Sequence, residues 1–174
     1  MKTLINIAKC ILLVAVFSLS FYQCNSEAIS ENEAPLQENY AKAMVYVSEL
    51  SGDNEVPMVN TDAFGRVIVR ISNDESSIHY KLIVNNIENV TMSHFHMAPA
   101  GVNSGIVVWL YDNRSGQPSG PSNGLIAEGV IMAEDIVGAL EGNMSGLIDA
   151  IKTGNIYVNV HTGQFGGGEI RGQL

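Results

Sequence analysis

From residue 40 onward the chain alternates between apolar and polar positions with the period of two that marks half-buried strands. Residues 40–50 predict a first strand, with Met44, Tyr46 and Ser48 on one face and Val45, Val47 and Glu49 on the other. Ser51 to Pro57 breaks it, with a glycine, an aspartate, an asparagine and a proline. Phe64 to Ile71 alternates around Arg66 and Arg70. After the turn at Asn73-Asp74-Glu75, Ile78, Tyr80, Leu82 and Val84 define the core face of another strand, leaving His79, Lys81 and Ile83 outside.

Further strands are expected at Val90–Met97, Gly105–Tyr111, Leu125–Val130, Tyr157–His161 and Glu169–Leu174. Asp112 to Gly124 reads as a loop rich in glycine and proline. One segment changes period. Residues 145–153 predict a short helix, with Ser145 as its cap, Leu147, Ile148 and Ile151 as its apolar side, Lys152 in the last turn and Gly154 closing it. Eight short strands and one brief helix give an all-β sandwich or barrel rather than an α/β fold.

The first residues follow another rule. Lys2 and Lys9 precede the apolar run Ile11–Phe17, a basic start before a short hydrophobic stretch, which is the pattern of a secretory leader. Cys24 ends this region. Its setting is similar to a bacterial lipoprotein signal, in which such a cysteine is lipidated. A cleaved soluble leader and an uncleaved anchor are the alternatives. Residues 1–23 are therefore expected to be the signal, 24–39 an acidic, flexible spacer, and 40–174 the folded domain.

Composition narrows the function. The formal net charge is -9 and the few Lys and Arg residues are scattered, so no cationic surface for nucleic acid is expected. Both cysteines, Cys10 and Cys24, precede the folded part. That part can hold no disulfide, no thiolate metal site and no cysteine nucleophile. Gly166-Gly167-Gly168 lacks the Lys-Ser/Thr of a phosphate loop and reads as a turn.

Several segments together resemble the chordin-type (CHRD) domain family. They are Leu50-Ser-Gly-Asp-Asn-Glu-Val-Pro57, Ser93-His-Phe-His-Met-Ala-Pro-Ala-Gly101, Gly105-Ile-Val-Val-Trp-Leu-Tyr111, Leu125-Ile-Ala-Glu-Gly129, Tyr157-Val-Asn-Val-His-Thr162 and Gly168-Glu-Ile-Arg-Gly-Gln-Leu174. The resemblance covers roughly residues 40–174. It implies a Greek-key or immunoglobulin-like β-sandwich outside the cytoplasm. In animals such domains occur in a secreted growth-factor antagonist, whose cysteine-rich modules have no counterpart here.

Four histidines are present, and three of them suggest chemistry. His94 and His96 are two apart on a strand and share a face. His161 ends another strand. Three imidazoles suit copper or zinc. Met92 shares the face of the pair and Met97 adjoins it, offering thioether sulfur. Asp112 or Glu169 can add a carboxylate or orient a ring. The alternative is a purely structural role, with the histidines hydrogen-bonded into the framework. Phe95, Trp109 and Tyr111 are expected in the core, and Glu169 and Arg171 are expected to pair.

The sequence thus reads first as an exported, membrane-tethered domain with a structural or protein-interaction role toward a cell-surface or extracellular partner. It is placed in the cell envelope or periplasm, or secreted, without assigned catalysis. Copper or zinc binding through His94, His96 and His161 is the alternative, and an enzyme the third reading.

Overall fold

The computed structural model describes residues 43–174. The leader, the spacer and Cys24 lie outside the described residues. Eight strands follow one another: β1 (Met44–Ser51), β2 (Phe64–Ile71), β3 (Ile78–Glu88), β4 (Val90–Met97), β5 (Ile106–Asp112), β6 (Pro121–Ile131), β7 (Ile156–Thr162) and β8 (Ile170–Gln173). One α-helix, α1 (Met144–Lys152), lies between β6 and β7. No described helix is long and apolar enough to cross a membrane.

All paired strands are antiparallel, in the order β5-β4-β7-β8-β1-β2-β3-β6. They are bonded as one continuous sheet, not as the two separate sheets of an immunoglobulin-like sandwich. The halves β5-β4-β7-β8 and β1-β2-β3-β6 meet through a single register pair, Ser51 with Arg171. The sheet curls nearly into a barrel. Across the remaining seam, the Tyr80 hydroxyl on β3 donates to the Leu110 carbonyl on β5 at 2.7 Å. Gly129 on β6 makes room for that ring, because a Cβ there would lie 3.0 Å from Tyr80 Cε1.

The core follows the alternation. Val67, Val69 and Ile71 of β2 and Ile78, Leu82 and Val84 of β3 are fully buried, facing Phe95, Val158, Val160 and Ile170 of the other half. Helix α1 adds Leu147, Ile148 and Ile151. Its cap is Asn143 rather than Ser145. The Asn143 side chain accepts from the Gly146 amide at 2.9 Å, and Ser145 Oγ donates to Asn143 Oδ1 instead. Strand β6 begins at Pro121, inside the segment expected to be loop.

One strand departs from simple alternation in a way that matters. All seven residues of β7 are buried, although Asn159, His161 and Thr162 are polar. A strand wet on one face would leave every second residue exposed. Here Ile156, Val158 and Val160 face the core, while Tyr157, Asn159 and His161 face outward under covering loops. Residues 98–105 lie over this face through Ser104, whose amide N–H donates to the Tyr157 hydroxyl oxygen at 3.1 Å. The turn at 163–168 closes it from the other side, with the Gly166 carbonyl 3.0 Å from His161 Nδ1.

Candidate metal centre

The register places the site. Strand β4 runs between β5 and β7, with Met92 opposite His161, His94 opposite Asn159 and His96 opposite Tyr157. Directly opposed residues project to the same face. His94, His96 and His161 therefore converge on the outer face of the β4–β7 pair, beneath the loops. All three are buried, His94 to 1% exposure. One nitrogen from each ring lies within 4.8 Å of the others.

The hydrogen bonds set the tautomers. His161 Nδ1 faces the Gly166 carbonyl at 3.0 Å, and His96 Nδ1 faces the Ser104 carbonyl at 3.0 Å. A carbonyl only accepts, so both Nδ1 atoms carry hydrogen and both Nε2 atoms present lone pairs. His94 Nδ1 lies 3.2 Å from His161 Nε2 and donates to it. This leaves His94 Nε2 as a buried nitrogen without a partner. Carbonyls on the outer ring nitrogens, fixing the inner ones as acceptors, are the usual support for histidine metal ligands.

Burial keeps the rings neutral. It lowers the His94 pKa to about 3, with His161 and His96 adding to the effect. His96 and His161 are also lowered, chiefly by burial, against the raising effect of their carbonyl partners. Neutral imidazole is the form that binds a metal.

The aromatic surroundings were legible only in part. Phe95 is in the core as expected, and Tyr111 packs against it. Trp109 is not a core residue. It is 40% exposed and stands edge-to-face with the His94 ring at 4.3 Å between centroids, with the Arg114 guanidinium over it at 4.9 Å. Register shifts in the β4–β5 pairing set Trp109 opposite His94. His96 is stacked on Tyr157 at 4.6 Å and 6°.

The other expected helpers divide. Met92 is half-buried on the face of the histidines. Met97 is 39% exposed, and as the odd-numbered neighbour of His96 it falls on the opposite side of the strand. Asp112 is on the site's strand pair, but Arg114 grips its carboxylate at 2.7 and 2.9 Å and holds its pKa down to about 2. Glu169 has both oxygens taken, one by Thr61 Oγ and one by Thr162 Oγ, each at 2.7 Å. Neither carboxylate joins the three imidazoles. His79, the fourth histidine, is remote from them and pairs with Glu128 at 3.0 Å.

Arg171 does not pair with Glu169. It is 2% exposed, lies flat on Tyr157 with Cζ 3.4 Å from the ring centre, and donates to Asn103 Oδ1 and the Val102 carbonyl. It thereby pins the 98–105 loop over the site. Two residues that the sequence reading passed over belong here. Asn159 Oδ1 lies 3.0 Å from His161 Nε2 and 3.1 Å from His96 Nε2. Its position two before His161 was the available signal. Glu55 is buried nearby with Oε1 unpartnered, its pKa raised to about 7 by burial against the opposing pull of Arg171.

In comparison with known families, the model of the CHRD domain matches residues 46–174, most of the chain. No curated protein and no solved structure gives a significant match.

Proposed function

The chain belongs to the CHRD domain family, and from that membership and the geometry of its buried histidines we propose that it binds copper or zinc at an extracytoplasmic surface. The observation that carries the reading is the 3.2 Å separation of His94 Nδ1 and His161 Nε2, within a three-imidazole cluster that burial keeps neutral. An ion bonded to nitrogens at about 2.0–2.1 Å in tetrahedral geometry sets its ligands about 3.3 Å apart. The closest pair already has nearly that spacing, and the third ring supplies a nitrogen within 4.8 Å. Binding through His94 Nδ1 moves that ring's proton to the partnerless Nε2, beside the Trp109 indole. Both copper and zinc accept imidazole ligands, and the half-buried Met92 sulfur would add affinity for copper in its reduced state. The leader and Cys24 support a tethered position in the cell envelope.

Calorimetric titration of the purified full chain with Cu²⁺ and with Zn²⁺ tests the reading. The chain has one tryptophan, so Trp109 emission reports on the site directly. The expected result is one ion per chain, with quenching of Trp109 by Cu²⁺, both abolished in the His94→Ala/His96→Ala variant. Equal heats in wild type and variant would overturn it.

A second reading, a structural or interaction role toward a cell-surface protein, has its own support. Val45, Val47 and Leu125 are each more than half exposed on the outer face of the β1-β2-β3-β6 half. On this reading a Val45→Lys/Val47→Lys variant leaves metal binding intact and shrinks the detergent-solubilised envelope complex. A complex of unchanged size would remove it.

A further inference from the structure

Asn159 presents an acceptor oxygen to two ring nitrogens that are themselves acceptors, an arrangement that a cation would balance. Both nitrogens it approaches, His96 Nε2 and His161 Nε2, are acceptors, because the Nδ1 of each ring already gives its hydrogen to a backbone carbonyl. The Asn159 atom facing them is Oδ1, at 3.1 and 3.0 Å. Three lone-pair atoms therefore crowd together, in a place where burial disfavours a compensating proton. An ion among them removes the conflict.

The spacing agrees. Oδ1 to His161 Nε2, Oδ1 to His96 Nε2, and His94 Nδ1 to His161 Nε2 measure 3.0, 3.1 and 3.2 Å. These three of the six edges are close to the spacing of about 3.3 Å expected around a small four-coordinate ion, and one nitrogen from each ring lies within 4.8 Å of the others.

The other side of the amide faces a buried carboxylate. Gly168 has φ +125°, and a Cβ at this position would run into Glu55 Oε1 and fall 2.8 Å from Asn159 Nδ2. The missing side chain therefore lets a buried carboxylate and the amide nitrogen occupy one corner. Turning the amide around would set Oδ1 toward an acceptor oxygen that itself lacks a hydrogen-bond donor. The amide stands with Nδ2 on the side of the Glu55 carboxylate and Oδ1 toward the rings.

Resting on the metal reading above, we infer that Asn159 Oδ1 is the fourth ligand, closing the site as three nitrogens and one oxygen, with the buried Glu55 carboxylate on the far side of the amide. A closed site leaves no coordination position for water or substrate, whereas catalytic zinc sites keep one open. The domain then holds or carries its ion and does not use it as a Lewis acid.

Cobalt(II) substitution of the full chain, followed by visible absorption with and without azide, tests this. The expected wild-type spectrum is intense, four-coordinate and unmoved by azide. Asn159→Ala should lose about tenfold or more in affinity and become azide-sensitive. Asn159→Asp, which keeps an oxygen and adds charge, should bind at least as tightly as wild type. An azide-sensitive wild type, or an Asn159→Ala variant with unchanged affinity and spectrum, would overturn the fourth ligand while leaving the metal reading standing. Absence of binding that depends on His94 and His96 would overturn both.

Discussion

His94 and His161, 67 residues apart in sequence, meet through Nδ1 and Nε2 at 3.2 Å on adjacent strands. A histidine pair in direct contact cannot both ionise without strong repulsion, and burial already disfavours either cation. The pair is therefore a neutral, lone-pair-rich element built into the framework, and its energetics can be measured directly.

Removing metal should destabilise the domain. An ion bound only by the folded state adds about 2.7 kcal/mol when its free concentration is one hundred times Kd. Thermal melts with zinc should therefore lie several degrees above melts with chelator. The difference should vanish in His94→Ala/His96→Ala. Coincident melting curves for the wild type would sink the expectation.

Metal-free stability should fall as the solution is acidified from pH 7.5 toward pH 5. The folded-state pKa of His94 is lowered from 6.5 to about 3, and those of His96 and His161 are lowered too. Below about 6.5 the unfolded chain takes up protons that the folded chain refuses, so stability is lost as pH drops. Urea midpoints for the chelated protein across this range give the slope. Replacing His94 by Gln should flatten it.

Glu55 should act in the opposite sense. Its folded-state pKa is raised from 4.5 to about 7. Between these values the folded chain holds a proton that the unfolded chain has released, so stability falls as pH rises through the window. A shift of this size corresponds to roughly 3 kcal/mol at most. Glu55→Gln should thus gain stability relative to wild type as pH goes from 5 to 8. A constant difference between the two melting curves would contradict the assignment. The same variant should weaken metal binding, because it removes the anion behind the Asn159 amide.

Gly168→Ala should cost about 1–3 kcal/mol, since a non-glycine residue is strained at this φ. The added methyl also invades the corner shared by Glu55 and Asn159. Metal affinity should therefore fall more than in a control such as Gly167→Ala, where a Cβ meets nothing within 4 Å. Parallel denaturation and zinc titration of the two variants separate the effects.

Much of the fold was legible from alternation, because a strand with one face in the core must repeat every second residue. Ile78, Tyr80, Leu82 and Val84 were read correctly as a core face, and the helix was placed within one residue of 144–152. Its cap was misassigned because Asn143 and Ser145 are both competent caps, and only backbone geometry selects between them. Trp109 was misplaced because shifts in the β4–β5 register change which residues oppose each other, and residue type carries no record of a bulge.

The site shows the same division. The shared face of His94 and His96 follows from strand geometry alone, and so does the kinship of His161 with Asn159, two positions earlier. The sequence by itself determined the strands, the helix, the family and the three imidazoles. Tertiary structure decided that β4 and β7 are neighbours, that loops bury their polar face, and that Arg171 fastens the loop while Asn159 and Glu55 complete the cluster. The reason is physical. Alternation is a local consequence of the strand repeat, whereas strand order, loop coverage and desolvation depend on contacts between residues tens of positions apart, whose energies no single segment contains.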